Sequence, residues 1–446
     1  MATKKKLLQV SGGGEDSYWI ALLGSSSAVD LGWGVAVDSS NNIISVGYTS
    51  SDGAGANDCL IAKYDSEGSV LWDRTLGGSS TDRFYGVVTD SSNNIYATGR
   101  AWVVAATNSY RAITAKYNSS GAIQWQKTLG LTSEDYSYKI AVDSSDNVVI
   151  CGKTNSDGAG SNDFLIAKYN SSGVLQWDRT LGGTGTEIGY GVAIDSSDNI
   201  IICGYTGSQG AGGNDAVVAK YNSSGTIQWQ RRLGGSSNDY FYGVAIDSSD
   251  DIILSGQTFS QGLGSGEGLL VKYNSSGTIQ WQKILGGTAN DFFYSVALDS
   301  QDNIFVVGGT QSDGEGSGDM LIAKYNSSGT IQWQKAIGTT GGAIAADYAR
   351  GVAVDSKDNL IVTGYVDLTI SASTSEWVIT AKLPPDGSGD GTYGDLTYQD
   401  ITLTAATSTL TEAAATLTDA AAVLTDSSSS FTDAAAVLTE TLYTVT

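Results

Sequence analysis

Histidine is absent from this chain, and proline (2) and cysteine (3) are nearly so. Without imidazole there is no His-based metal site, no Ser-His-Asp triad and no His general base. Scarce proline leaves strand interiors free to hydrogen-bond, and with 57 glycines it fits many short strands joined by tight turns. Cys59, Cys151 and Cys203 are too few for a disulfide framework. Cys151 and Cys203 hold the same place in adjacent repeats and read as buried thiols on strands.

Positive charge is also short. Lys and Arg number 24 against 47 Asp and Glu, a net charge of −23, which disfavours nucleic acid and anionic membranes as partners. No base follows Lys382, whereas nine acids do. Long apolar runs are missing too. The basic start leads only to Leu7-Leu8-Gln9-Val10, too short for a signal-peptide core or a membrane span. Assembly in a cytoplasm, without membrane insertion, is the expectation.

What the chain has is a repeat. An Asp closing a Val/Ile-rich pentapeptide recurs at Asp38, Asp90, Asp143, Asp195, Asp247, Asp299 and Asp355, 52 to 56 residues apart. A Trp recurs at Trp19, Trp72, Trp125, Trp177, Trp229, Trp281 and Trp333, 52 or 53 apart. Within the unit from Gly191 to Gly235, four apolar strands are separated by Ser196-Ser-Asp-Asn, a glycine-rich loop from Gly207 to Asn214, and the hairpin turn Asn222-Ser-Ser-Gly. Four antiparallel strands per roughly 50 residues make a propeller blade. The chain starts with a lone fourth strand at Tyr18-Trp19 and its last unit stops after a third strand at Trp377, so the first strand is expected to complete the last blade.

The predicted fold is therefore all-β, a seven-bladed propeller of four-stranded antiparallel blades. Residues 1–14 are an extension, 15–385 the propeller, 386–402 a linker and 403–446 an acidic tail. Asp143-Ser-Ser-Asp-Asn-Val-Val-Ile-Cys-Gly-Lys-Thr, Asp163-Phe-Leu-Ile-Ala-Lys-Tyr-Asn-Ser-Ser-Gly and Leu181-Gly-Gly resemble the SBBP repeat of bacterial and phage β-propellers, seven times over residues 15 to 385. Ala219-Lys-Tyr-Asn-Ser-Ser-Gly-Thr-Ile-Gln-Trp is also similar to the tryptophan-docking repeat of quinoprotein dehydrogenases, whose rings hold a cofactor in a pocket with no counterpart in these residues. The shared Trp is expected to wedge between blades.

Blade topology puts the short uniform turns on one face and the longer, variable loops on the other, which makes the latter the candidate binding face. Eight residues before each marker Asp stands an acid: Asp30, Asp82, Asp135, Glu187, Asp239, Asp291 and Asp347. These could bind a cation or sugar hydroxyls; otherwise they cap their own loops or pair with the periodic Lys63, Lys116, Lys168, Lys220, Lys272, Lys324 and Lys382. Trp33, Tyr85, Tyr138, Tyr190, Tyr242 and Tyr294, just before the first strand, read as packing between blades. Phe84, Tyr136, Tyr240, Phe241, Phe292, Phe293 and Tyr348 vary from blade to blade and join Asp82, Asp135, Asp239, Asp291 and Asp347 as ligand candidates. No cofactor is expected, although Asp157-Gly-Ala-Gly-Ser-Asn-Asp163 and Asp313-Gly-Glu-Gly-Ser-Gly-Asp319 offer hard oxygens to calcium.

From Leu403 a seven-residue period runs through Leu410, Leu417, Leu424, Phe431 and Leu438, each followed by Thr. Such a period keeps one stripe on a helix. These residues are expected to assemble the chain with its own copies or with other virion proteins. No carboxylate pair stands out as acid and base, so no enzymatic activity is expected. The function expected is that of a structural or binding protein, a virion appendage or decoration protein that displays a propeller to a host surface. A carbohydrate-binding propeller, extracellular or on a cell surface, is the alternative, and cell-surface glycan the ligand in either case.

Overall fold

The computed structural model describes residues 8–11, 17–25, 28–103, 109–210, 212–314, 317–339, 346–370, 373–393, 396–414, 418–421, 426–428, 432–435 and 439–441. Among these there is no helix, and seven antiparallel sheets follow one another as the blades of a propeller. Two compact units hold them: Met1–Phe84, Gly286–Ala405 and Phe431–Thr446 carry three blades, and Tyr85–Leu285 with Ala406–Ser430 carry four.

One blade serves for all. Its strands are Glu187–Ile194, Ile200–Thr206, Asp215–Tyr221 and Ile227–Gly234, each antiparallel to the one before. The middle strands are covered on both sides, so they read as unbroken apolar runs rather than alternating ones. Ile200, Ile201 and Ile202 are all fully buried, and each side chain of this kind removed from water contributes about 1.5–3 kcal/mol. Ile202, Val217 and Ala219 pack with Val149, Phe164 and Ile166 of the preceding blade. The three cysteines are free and buried.

The strand that carries Trp19 does complete the last blade, and Leu8–Ser11 pairs along its other side. Ser17–Gly24 pairs with Ser373–Leu383, placing Trp19 opposite Lys382 and Leu23 opposite Val378.

The turn end of the blades is nearly identical throughout. In the turn after the first strand, one non-glycine residue per blade is left-handed, from Asn41 (φ 59°) to Asp358 (φ 65°), which Asn and Asp tolerate best. Its side chain also reaches the neighbouring turn: Ser144 N and Oγ donate to Asp198 at 2.9 and 2.7 Å, and Ser196 does the same to Asp250. The marker Asp ties its own turn, accepting from the amides of Ser197 and Asn199 at Asp195. It also takes the periodic lysine. Seven such ion pairs, Lys63–Asp38 through Lys382–Asp355, span 2.7 to 3.5 Å. Lys168 and Lys220 then donate to the carbonyls of Ser223 and Ser275 in the next blade. The lysines thus serve the marker acids and not the acids eight residues earlier.

The periodic Trp lies on the next blade's hairpin, as expected. A Cβ on Gly225 (φ +78°) would stand 2.9 Å from the Trp177 ring, and Gly68, Gly173, Gly277 and Gly387 meet Trp19, Trp125, Trp229 and Trp333 in the same way. Only glycine allows both the positive φ and this approach.

The tail departs from expectation. Its described residues are strands, not a helical stripe: Leu396–Asp400, Thr404–Thr407, Thr411–Ala414, Thr418–Ala421, Asp426–Ser428, Thr432–Ala435 and Thr439–Thr441. Each lies on the outer edge of a different blade, as the fifth strand beside a fourth, and successive ones take the blades in reverse chain order. Each heptad is thus a strand of about four residues plus a step to the next blade. Leu403 and Leu410 are buried against their own blades, their carbonyls accepting from Gln334 at 3.0 Å and Gln282 at 3.1 Å. Leu417, Leu424, Phe431 and Leu438 lie outside the described residues. The heptad reads as helical because a period of seven cannot hold one face of a continuous strand. Broken into short strands that each restart on a new blade, it can.

Candidate functional site

The acids that precede the first strands are all in register, and all are turned into their own blades. Asp82, Asp135, Asp239, Asp291 and Asp347 are at most 1% exposed. Asp135 accepts from Thr154 Oγ1 at 2.5 Å, Ser156 Oγ at 2.6 Å and the Leu131 amide at 3.1 Å. Asp239 repeats this with Thr258, Ser260 and the Gly235 amide, and Glu187 with Thr206 and the Gly183 amide. Asp82 accepts from Gly78 N and Asp291 from Ser312 Oγ and Gly287 N. Burial raises the carboxyls of Asp30, Asp135 and Asp239 in spite of these bonds, and that of Asp347 to about 6. The ring of acids acts as loop clamps. The aspartates weighed for calcium are also engaged, Asp163 by the Gly160 amide and Asp313 by the Thr402 amide. Among the described residues no three acids or cysteines converge as a metal site.

The variable aromatics divide into two sets. Phe84, Phe241 and Phe293 are fully buried in blade cores. Tyr136, Tyr240, Phe292 and Tyr348 stand one residue after the clamping acid, at the end of the first strand beneath the longer loops. Opposite them on the second strand are Lys153, Gln257, Gly309 and Tyr365. These two rows change from blade to blade, while the turn end does not.

Between the rows and the turn end a β-bulge interrupts the first strand, at Trp33, Tyr138, Tyr190, Tyr242, Tyr294 and Arg350. A bulge re-aims one side chain without ending the ladder. In the four-blade unit this lines up Tyr85, Tyr138, Tyr190 and Tyr242, with successive ring centroids 5.4, 5.1 and 5.2 Å apart. The expected packing between blades is this contact.

Each unit carries an aromatic cluster built around cations. In the four-blade unit, the Arg100 guanidinium lies 4.4 Å from the Tyr110 ring and 4.8 Å from the Tyr136 ring, and Lys153 Nζ is 4.4 Å from Tyr136. The Tyr136 hydroxyl donates to Glu134 at 2.7 Å. Further along the same unit Tyr240 contacts Tyr205 at 5.1 Å and accepts from Asn214 Nδ2 at 3.2 Å. In the three-blade unit Arg350 lies among Trp33, Tyr294, Tyr348 and Tyr365, and Tyr348 meets Phe292 at 5.1 Å. Arg100, Lys153, Arg350, Tyr110, Tyr205 and Tyr365 were not anticipated. Aligning the repeats position by position exposes them, since each breaks a column; a search for aromatic residues alone does not.

Comparison with known proteins agrees with the architecture. A family profile described as a β-propeller repeat (SBBP) matches residues 280–315, and one described as a domain of unknown function (DUF5122) β-propeller matches residues 144–175 and 196–227. These matches fall on single blades and agree with the seven-bladed propeller fold. Among curated proteins, a WD repeat-containing protein of Acanthamoeba polyphaga mimivirus is 23% identical over 445 residues, covering 69% of this chain and 32% of that protein. The regulatory protein FlaEY of Caulobacter vibrioides is 27% identical over 151 residues, 30% of this chain and 16% of that one. The chain therefore spans a third or less of these relatives.

Solved structures of similar fold include the polysaccharide lyase Uly1, with a TM-score of 0.47 and 10% identity over 79% of this chain and 90% of that one. The NanB sialidase of Streptococcus pneumoniae has a TM-score of 0.38 and 12% identity over 80% and 68%. These correct one expectation. The absence of activity was read from the lack of histidine and of a distinctive acid pair, yet propellers that resemble this one include enzymes. Phenols and carboxylates can also move protons, and both gather under the longer loops.

Proposed function

We propose that this chain is a recognition propeller that holds cell-surface carbohydrate under its longer loops. The observation that carries this reading is the contrast within each blade: an invariant turn end, and rows at the opposite strand ends where Tyr136, Tyr240, Phe292, Tyr348, Arg100, Lys153 and Tyr365 differ from blade to blade. Tyr240 and Tyr348 are half-buried, and aromatic faces of this kind beside a few fixed polar groups suit the apolar face and hydroxyls of a sugar. Variable residues on a rigid scaffold are the usual place for recognition.

A virion appendage displaying the propeller to a host surface is the setting we favour, because a viral protein is among the relatives. Attachment would use the tail. Thr411–Ala414, Thr418–Ala421 and Thr432–Ala435 are the last strands of their sheets among the described residues, so their outer edges can accept a strand from another copy or another virion protein.

Binding of the full-length chain to a glycan array, with and without calcium, tests the recognition reading. At least one glycan class should be retained, and Tyr240→Ala or Tyr348→Ala should weaken it about tenfold or more while leaving the thermal transition in place. No glycan signal, or binding indifferent to both substitutions, overturns the reading.

A further inference from the structure

The bulge position of the first strand is aromatic in Trp33, Tyr85, Tyr138, Tyr190, Tyr242 and Tyr294, and in the remaining blade it is Arg350. Among the described residues Arg350 makes no ion pair at bonding distance, although its charge lowers the Glu376 carboxyl. The guanidinium carbon lies 4.0 Å from the Tyr294 ring centroid, 4.5 Å from Trp33, 5.6 Å from Tyr365 and 5.9 Å from Tyr348. Its Nε is buried with no hydrogen-bond partner among the described residues. Arg83 and Arg100 are likewise held against rings, each with an Nε that has no hydrogen-bond partner among the described residues. The periodic lysines each have an aspartate, Lys335 has Asp390 and Asp400, Arg231 has Glu412 and Arg232 has Asp215.

We infer that Arg350 receives the carboxylate of an acidic sugar, a uronic acid or a similar sugar acid. A guanidinium offers two parallel donors to a carboxylate, and stacking on Trp33 and Tyr294 fixes the plane of that fork before a ligand arrives. The half-buried rings of Trp33, Tyr294 and Tyr348 supply flat walls for the sugar ring, and the Tyr348 hydroxyl, which accepts from Gln311 at 3.3 Å, can donate to one of its hydroxyls. Glu376, whose carboxyl is raised by burial and by the charge of Asp367 and lowered by Arg350, adds an acceptor at the same end.

This inference rests on the carbohydrate reading and specifies its ligand, so its test separates the two. Full-length chain is titrated with an oligoglucuronate, with the matching neutral gluco-oligosaccharide, and with inorganic phosphate as competitor. The acidic oligosaccharide should bind about tenfold or more tighter than the neutral one. Arg350→Gln should abolish that preference without removing neutral binding, and Arg350→Lys, which keeps charge but not the fork, should restore only part of it. Equal binding of the two oligosaccharides, or a preference that survives Arg350→Gln, overturns the inference and leaves the carbohydrate reading intact. Phosphate competing as well as glucuronate also overturns it, in favour of a general anion site. Binding of neither oligosaccharide counts against both. A circular dichroism melt of each variant shows that lost preference is not lost fold.

Discussion

The two ends of each blade obey different rules. At the turn end, Lys220, Asp195, Trp177 and Gly225 have counterparts in one blade after another, and every one of them is held by a neighbour. At the loop end the clamping acid and its Thr and Ser partners recur, and the residues beside them range from Phe292 and Tyr348 to Arg100 and Lys153. Repetition therefore marks what joins blades, and departure from repetition marks where we propose that a ligand binds. Seven copies of a residue point to the scaffold even when the residue is charged.

Substitution tests this contrast most severely at the marker acids. Asp195→Ala leaves Lys220 buried beside the Ser275 carbonyl and removes the acceptor for the Ser197 and Asn199 amides. Urea denaturation should show a loss of about 3–5 kcal/mol, as for other broken buried pairs. Lys220→Met, which keeps the turn's acceptor and replaces the stem with an apolar one, should cost clearly less. Equal losses would mean that the turn, and not the pair, is what stabilises.

A smaller loss is expected from the wedge. Gly225→Ala forces a left-handed L-residue and brings a methyl against Trp177, and should cost about 1–3 kcal/mol, read as a lowered melting temperature. A neutral result would show that the Trp contact is adjustable.

The smallest effect is a pH dependence that separates the two kinds of acid. At Asp38, Asp90, Asp143, Asp195 and Asp299 burial alone would raise the carboxyl, but hydrogen bonds outweigh it, with the lysines' charge contributing, and the carboxyl is lowered. Their contribution is present above the unfolded value of 3.8 and fades as pH falls below it. Asp347 and Asp163 are raised to about 6, chiefly by burial, so between 3.8 and about 6 the folded chain holds more protons than the unfolded one. Their contribution is therefore largest at the acid side and declines as pH rises through that window. Stability measured by urea should be higher at about pH 5 than at pH 7, and Asp347→Asn should reduce the slope. A curve rising from 5 to 7 would contradict this assignment.

The blade count, strand order and closure by Trp19 beside Lys382 were legible in the sequence because each blade repeats the same alternation of apolar runs and turns. The wedge of the periodic Trp was legible too, since a large ring at fixed spacing opposite a glycine turn has few other uses. The partner of the lysines was not. Lys220 lies 25 residues from Asp195 and 33 from Glu187, and only the pairing of three strands shows which carboxylate reaches its ammonium. The rows of the candidate site were legible as columns, but their grouping around Arg100 and Arg350 depends on neighbouring blades. The tail was misread because seven residues suit a helical stripe, and nothing local says that the same interval can match the distance between adjacent blade edges.

That last match ties two counts together. One copy of a 52-residue module and one seven-residue link form a set, sheet by sheet, in opposite directions along the polypeptide. Removing a module while keeping all the links would leave surplus ribbon with no edge to lie on. Slipping the ribbon by a single residue would turn Leu403 and Leu410 away from the surfaces that cover them. The ribbon is thus a tally of the sheets beneath it, and the length of one cannot change without the number of the other.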